Sequence, residues 1–122
     1  MKKTIKKRSN QANPSHKIPP LSLIPPTTQF LHLAHTSLQN MFLLNRFHQI
    51  LQLDVSDTFV YNLEKCKPHL SISSINLQNT PLSKKPYYRI MLLISFCPNA
   101  TIIDCKEVTD EEKMNAISLK LM

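Results

Sequence analysis

The sequence predicts an α+β fold preceded by a basic arm. Three observations indicate it: apolar residues recur at helical spacing between residues 29 and 52, two apolar runs flank a Pro-Asn pair near residue 98, and a capping box precedes the last apolar segment. The 122 residues suffice for one domain and are too few for two separate cores. We therefore expect a Pro-rich disordered arm over residues 1–26 and a single, marginally stable domain over residues 27–122.

The predicted arm holds most of the net charge. The chain carries +7, and residues 1–26 contribute six cations and no acid. Because the remainder is nearly neutral, a basic groove built into the domain is not expected. A plain solvated tail is the favoured interpretation of the arm, and contact with an import receptor or with nucleic acid is the alternative. The candidate contact residues are Lys2, Lys3, Lys6, Lys7 and Arg8.

Residues 29–52 predict one amphipathic helix. Thr27 or Thr28 can cap its N-terminus, and the polar residues 54–57 mark its end. The apolar face of this helix consists of residues three or four positions apart: Phe30, Ala34, Leu38, Met41, Leu44, Phe47 and Leu51.

The middle of the chain gives weaker signals. Residues 57–67 combine β-branched and aromatic residues with a helical spacing of apolar ones, and a short helix is favoured over a strand. Residues 70–78 alternate imperfectly between polar and apolar side chains and predict a possible third strand. No internal repeat is identified.

The last third of the chain predicts a β-hairpin followed by a helix. The strands are residues 89–96 and 101–108, and Pro98 and Asn99 occupy the centre of the turn between them. Thr109 and Glu112 have the spacing of a capping box, which predicts a helix from that point onward.

The chain contains no glycine, which excludes several catalytic classes. A P-loop, a dinucleotide-binding fingerprint and a Gly-flanked nucleophile elbow all require that residue. Gly, Ala, Val, Asp and Glu, whose codons all begin with G, together make up only 15 residues, and Trp is absent. A coding strand poor in G explains this pattern without reference to protein function. We expect no enzymatic activity and no cofactor.

One constellation of side chains is a candidate zinc site. His32 and His35 stand three apart on the predicted helix, and Cys66 and His69 stand three apart on a loop. Imidazole and thiolate are the ligands of tetrahedral zinc. The spacing between the two pairs matches no zinc finger, and the favoured interpretation is solvated histidines with Cys66 as a core residue.

The cysteine count and apolar pattern bear on location. Three cysteines without a scaffold spacing favour a reducing, intracellular compartment. The basic N-terminus is followed by a polar, Pro-broken stretch, so a secretory signal is not expected. The longest apolar run, residues 87–103, is too short and too polar for a membrane span.

Two interpretations of function remain. The first is a small non-enzymatic protein that is restricted to one lineage or encoded by a reading frame never selected as a protein. The second is a binding module whose basic arm contacts nucleic acid or an import receptor, while the helix over residues 29–52 packs on a protein partner.

Overall fold

The structure, a computed structural model, describes residues 16–121 and confirms the α+β class. Five short strands form one mixed sheet: β1 (Phe30–His32), β2 (Gln52–Asp54), β3 (Ser74–Asn76), β4 (Ile102–Ile103) and β5 (Lys106–Glu107). Within residues 16–121, two α-helices and three 3₁₀ helices accompany it: α1 (Tyr88–Ser95), α2 (Asp110–Lys120), and 3₁₀ turns at Leu21–Leu23, Met41–Arg46 and Leu82–Lys84.

The sheet is built by a structural repeat. Strands β1 to β4 are parallel and lie in chain order, and β5 returns antiparallel to β4. Phe30 pairs with Gln52 and Gln52 with Ser74, so the first three strands follow one another at equal intervals along the chain. The next step, from Ser74 to Ile102, is longer. The expectation that the chain lacks an internal repeat is therefore wrong.

Each repeat places equivalent apolar side chains on top of one another. The central residue of each strand faces the interior and is buried: Leu31, Leu53, Ile75 and Ile103. Two residues further on, a second buried row follows because side chains alternate along a strand: Leu33, Val55 and Leu77. A third row closes each repeat: Leu38, Val60 and Leu82. These stacked rows form one continuous core, the arrangement of a solenoid in which each repeat packs on its neighbours.

A buried threonine lies in the turn that follows each of the first three strands. Thr36, Thr58 and Thr80 recur at the same interval as the strands, and all three are buried. Each hydroxyl donates a hydrogen bond of 2.7 Å to the carbonyl oxygen three residues earlier. The threonine thus satisfies a backbone acceptor that the bending chain would leave unpaired in the core.

The same turns use left-handed backbone without glycine. His35, Asp57 and Asn79 precede the three threonines and have φ values of 62°, 55° and 62°. Asn and Asp tolerate this region better than most residues, because their short polar side chains bond locally. The hairpin loop between β4 and β5 also has two residues with positive φ, Asp104 and Cys105, as a type I′ turn requires.

The helix predicted over residues 29–52 is wrong. The segment forms β1, an extended stretch, the 3₁₀ helix Met41–Arg46 and the start of β2. From residue 38 onward its buried side chains recur every three residues, at positions 38, 41, 44, 47 and 50. This is the period of a 3₁₀ helix, and the segments on either side of Met41–Arg46 keep the same spacing. Phe30, assigned to the buried helical face, is 55% exposed.

Two further elements differ from expectation. Residues 57–67 contain no helix; they form a bend at Asp57 and Thr58 and a turn at Glu64 and Lys65. The segment predicted as a strand over residues 89–96 instead lies in α1, which ends at Ser95, because a mostly apolar run fits a buried helix equally well. A turn does form at Pro98 and Asn99, where the Ala100 N–H donates to the Cys97 carbonyl, but it connects α1 to β4. The hairpin predicted around this turn is therefore wrong, and the observed hairpin pairs β4 with β5 around Asp104 and Cys105. The third strand is confirmed as β3.

The last helix covers the C-terminal end of the solenoid. The predicted capping box is present: Thr109 Oγ1 accepts from the Glu112 N–H at 3.1 Å, and the Glu112 carboxylate accepts from the Thr109 N–H at 3.0 Å. Arg89 of α1 joins this box through its Nε, 2.6 Å from Glu112 Oε2, and donates to the Ile103 carbonyl at 2.8 Å. The Arg89 hydrogen bond is the largest cause of a lowered pKa for Glu112. One guanidinium therefore ties α1, α2 and the β4–β5 hairpin together.

The N-terminal end is covered by the described part of the predicted arm. Residues 1–15 lie outside the described residues, and residues 16–26 pack on the first repeat through Ile18, Leu21 and Ile24. Arg46 Nη1 donates to the carbonyl oxygens of Leu21 and Ile24 at 2.6 and 2.5 Å. The Arg46 guanidinium also lies 5.0 Å from the Phe47 ring centroid, so this residue holds the segment against the body.

Candidate binding surface on the sheet

The exposed face of the sheet carries two aligned rows of side chains. Because strands alternate inward and outward residues, the neighbours of each buried strand centre point away from the core. The register places His32 beside Asp54 and Asp54 beside Asn76, forming the first row. The second row consists of Phe30, Gln52, Ser74 and Ile102.

All members of the two rows except Phe30 line a shallow cleft of about 190 Å³. Its floor is polar in the middle, where Gln52, Ser74 and Asn76 offer hydrogen-bond donors and acceptors. Ile102 and Cys105 lie at the β4 end, where both side chains are exposed. The arrangement suits an extended or helical segment that crosses the strands and exchanges hydrogen bonds with them.

Asp54 is the fixed charge of this surface. Its Oδ1 accepts hydrogen bonds from the Ser56 N–H at 3.0 Å and from Ser56 Oγ at 2.7 Å. Within residues 16–121, no hydrogen bond to Oδ2 is observed, so this oxygen is available to a partner. Among the same residues, no Lys or Arg lines the cleft. The face is therefore acidic in a chain whose net charge is positive.

The turn residues form a polar ladder beside the rows. Asp57 contacts both of its repeat equivalents: Oδ1 accepts from Asn79 Nδ2 at 2.5 Å, and Oδ2 lies 3.4 Å from His35 Nδ1. These contacts join three successive repeats at the end of their strands. They hold the strands in register and thereby keep the exposed rows aligned.

The predicted zinc ligands are placed on different parts of the repeats. His32 lies on β1 in the cleft and His35 in the turn that follows it. Cys66 and His69 occupy the second repeat, at the positions equivalent to Leu44 and the buried Phe47. Within residues 16–121, no three His, Cys, Asp or Glu side chains are grouped so that they could hold a metal ion. The predicted arm contacts, Lys2 to Arg8, lie outside the described residues.

Burial controls the chemistry of the cysteines and of His69. Burial raises the pKa of the Cys66 thiol to about 11 and that of Cys97 to about 12, so both remain protonated at neutral pH. His69 is buried with its ring 4.9 Å from that of Phe96, and burial lowers its pKa. Its Nε2 is the buried side-chain atom without a hydrogen-bond partner in the described part of the chain.

Of the cleft residues, only His32 was singled out from the sequence, as a zinc ligand, although a signal for the others was present. Three segments share one pattern of apolar residues and threonine: LHLAHTSL, LDVSDTFV and INLQNTPL, starting at residues 31, 53 and 75. An apolar-x-apolar pattern followed by a fixed polar residue and a further apolar one, with a period of roughly 20–29 residues, is typical of a leucine-rich repeat. The exposed position within each such strand is the one that reaches the cleft.

The fold and the cleft define a class: a short parallel solenoid, with both ends of its described part covered and one exposed sheet face. No family model matches the sequence, and the search of curated proteins found no match. Within residues 16–121, no helix is long and apolar enough to cross a bilayer.

Solved structures share the fold at low sequence identity. The Drosophila melanogaster SNF/U2A′ complex contains a chain with a TM-score of 0.53 and 18% identity, covering 75% of this chain and 60% of that one. A chain in the structure of the Chaetomium Mex67:Mtr2 subunits gives a TM-score of 0.50 and 19% identity, covering 74% of this chain and 62% of that one. The protein thus spans about three fifths of these chains, and the likeness shows the fold alone.

Proposed function

We propose that this protein is a non-enzymatic binding module whose exposed sheet face holds a segment of a partner protein. Solenoids present extended binding surfaces on the face lined by their strands. Here that face carries two rows of side chains in register and is free of other described parts of the chain. The observation that carries the proposal is the aligned polar row formed by His32, Asp54 and Asn76 on this face.

The charge of the cleft favours a protein partner over a nucleic acid. Contacts to phosphate need Lys or Arg, and the cleft lining within residues 16–121 has neither. The Asp54 carboxylate at its centre would repel a phosphate backbone and attract a cationic side chain. The partner segment therefore presents a Lys or Arg to Asp54 and hydrogen-bonding groups to Gln52 and Asn76.

The comparisons support an assembly role. One similar chain comes from an SNF/U2A′ complex and the other from a structure of Mex67:Mtr2 subunits, so each was solved in an assembly of two named components. The regular spacing of threonine and of left-handed turn residues also supports selection for a folded binding module over an unselected reading frame.

A second contact is carried by the excess charge of residues 1–26. The six cations there favour contact with nucleic acid or an import receptor, with salt-sensitive binding as its signature. The sheet face takes the place of the helix predicted over residues 29–52 as the surface for the protein partner, since that helix does not form.

The test compares two added charges on the face with the same charges elsewhere. Partners captured from cells by the full chain are purified and measured one by one against His32→Lys/Gln52→Lys and against the control Gln39→Lys/Gln49→Lys. All four positions are exposed, so folding is expected to persist. We expect a partner whose affinity falls about tenfold or more for the face variant and less than twofold for the control. Equal affinities for both variants would refute the sheet-face proposal.

A further inference from the structure

Helix α2 exposes an apolar stripe on the side that does not face the core. Met114, Ile117 and Leu121 are 61%, 53% and 82% exposed. Their spacing of three and four residues places them on one helical face. Ala116, the buried residue of the helix, lies on another. The described residues leave this stripe uncovered, although exposing three large apolar side chains on one helix costs solvation free energy.

A groove between α1 and α2 adjoins the stripe. It has a volume of about 200 Å³, enough for an apolar side chain from a partner. Leu93, Pro98, Ala116 and Ile117 form its apolar lining.

Two lysines complete the groove lining. Lys113 and Lys120 are both exposed and stand two helical turns apart, about 10 Å along the helix axis. Neither forms an ion pair within the described part of the chain. Glu112, the acid adjacent to Lys113, is held by Arg89. The groove thus combines an apolar lining with two available positive charges.

We propose that this groove binds an acidic amphipathic helix of a partner protein. The complementary helix carries two carboxylates about seven residues apart, matching the separation of Lys113 and Lys120, with a large apolar side chain between them that enters the groove. This surface belongs to α1 and α2 and does not depend on the proposal for the sheet face.

A peptide fits these features better than an anionic membrane does. A groove of this volume receives a single projecting side chain, whereas a lipid surface contacts an exposed helical face broadly. Asp110 and Glu111 are also exposed at the start of α2, where they would repel anionic headgroups.

The experiment selects ligands without assuming their identity. A displayed library of helical peptides is selected on the full-length protein, and enriched peptides are synthesised and measured by fluorescence anisotropy. We expect enriched peptides with two acidic residues about seven positions apart around a large apolar residue. Binding should weaken about tenfold in Lys113→Glu/Lys120→Glu and less than twofold in the matched control Lys84→Glu/Lys85→Glu. If thermal unfolding shows that Lys113→Glu/Lys120→Glu is less stable than the wild type, the binding measurement is made with Lys113→Gln/Lys120→Gln instead.

Several results would overturn the proposal. These are enrichment of peptides without the acidic pair, no enrichment at all, or equal weakening in test and control variants. Co-sedimentation with phosphatidylserine vesicles that Lys113→Glu/Lys120→Glu abolishes would assign the surface to a membrane instead. Self-association in sedimentation velocity that Ile117→Glu abolishes would assign it to a second copy of the chain.

Discussion

Thr58 belongs to the threonine ladder, the buried series Thr36, Thr58 and Thr80. Replacing it with valine removes one hydroxyl of this series with little change of side-chain shape. The side chain is fully buried, and its hydroxyl donates to the Val55 carbonyl at 2.7 Å. Valine leaves that carbonyl without the hydroxyl in the core, which costs about 1–3 kcal/mol. Because a small domain has only about 5–15 kcal/mol of stability in total, the loss is readily measured. Urea unfolding should show a lower midpoint with an unchanged m-value.

Two controls separate the hydrogen bond from the packing. Thr58→Ser keeps the hydroxyl and loses one methyl group, so it should cost about 1 kcal/mol through lost apolar burial alone. Thr101→Val removes an exposed hydroxyl 3.2 Å from the Ser73 carbonyl and should change stability by less than about 0.5 kcal/mol. A Thr58→Val protein as stable as the wild type would refute the structural role assigned to the ladder.

Three further predictions concern the turns, the core and the N-terminal segment. Lys65 has a φ of 64°, so Lys65→Gly should raise the free energy of unfolding by up to about 1 kcal/mol. The control Lys67→Gly should lower it, because Lys67 has no positive φ that glycine would relieve. A change of the same sign in the free energy of unfolding of both variants would contradict the left-handed conformation of Lys65. Burial lowers the pKa of His69 in the folded state, so the unfolded chain binds a proton first as the pH falls below about 6.5, and stability should decrease there by at most about 1.4 kcal/mol per pH unit. His69→Phe, which copies the equivalent Phe47, should flatten this dependence between pH 5 and 7 in chemical denaturation, and an unchanged slope would show that His69 titrates freely. Arg46→Ala should speed amide hydrogen exchange selectively in residues 16–26, since Arg46 donates hydrogen bonds to two carbonyls there. An equal increase in exchange throughout the chain would contradict the role of Arg46 in holding this segment.

Elements with strong local chemistry were predictable from the sequence. The capping box at Thr109 and Glu112 defined the start of α2, because both partners of the reciprocal hydrogen bonds are specified within four residues. The turn at Pro98 and Asn99 was also predictable, since proline presets one backbone angle there. In each case the signal and the structure involve the same few neighbouring residues.

Strands β1 and β2 were missed because their stabilising contacts are distant in sequence. Each has three residues, too few for an alternation of apolar and polar side chains to stand out. Their backbone partners lie a whole repeat away along the chain, and the 3₁₀ spacing between them imitates an amphipathic helix. The cleft was missed for the same reason, because its side chains are brought together only by the register of the repeats.

The cleft depends on the pairing of β1 with β2, in which Phe30 lies opposite Gln52, and spin labels on these two residues test this pairing most directly. Both residues are exposed, and nitroxides at Phe30→Cys and Gln52→Cys in a Cys105→Ser background can be compared with each single-label protein. Adjacent strands place the two backbones about 5 Å apart, so strong dipolar broadening of the EPR spectrum is the predicted result. A helix over the same segment would separate them by about 33 Å, and a doubly labelled spectrum equal to the sum of the single-label spectra would contradict the solenoid and its binding face.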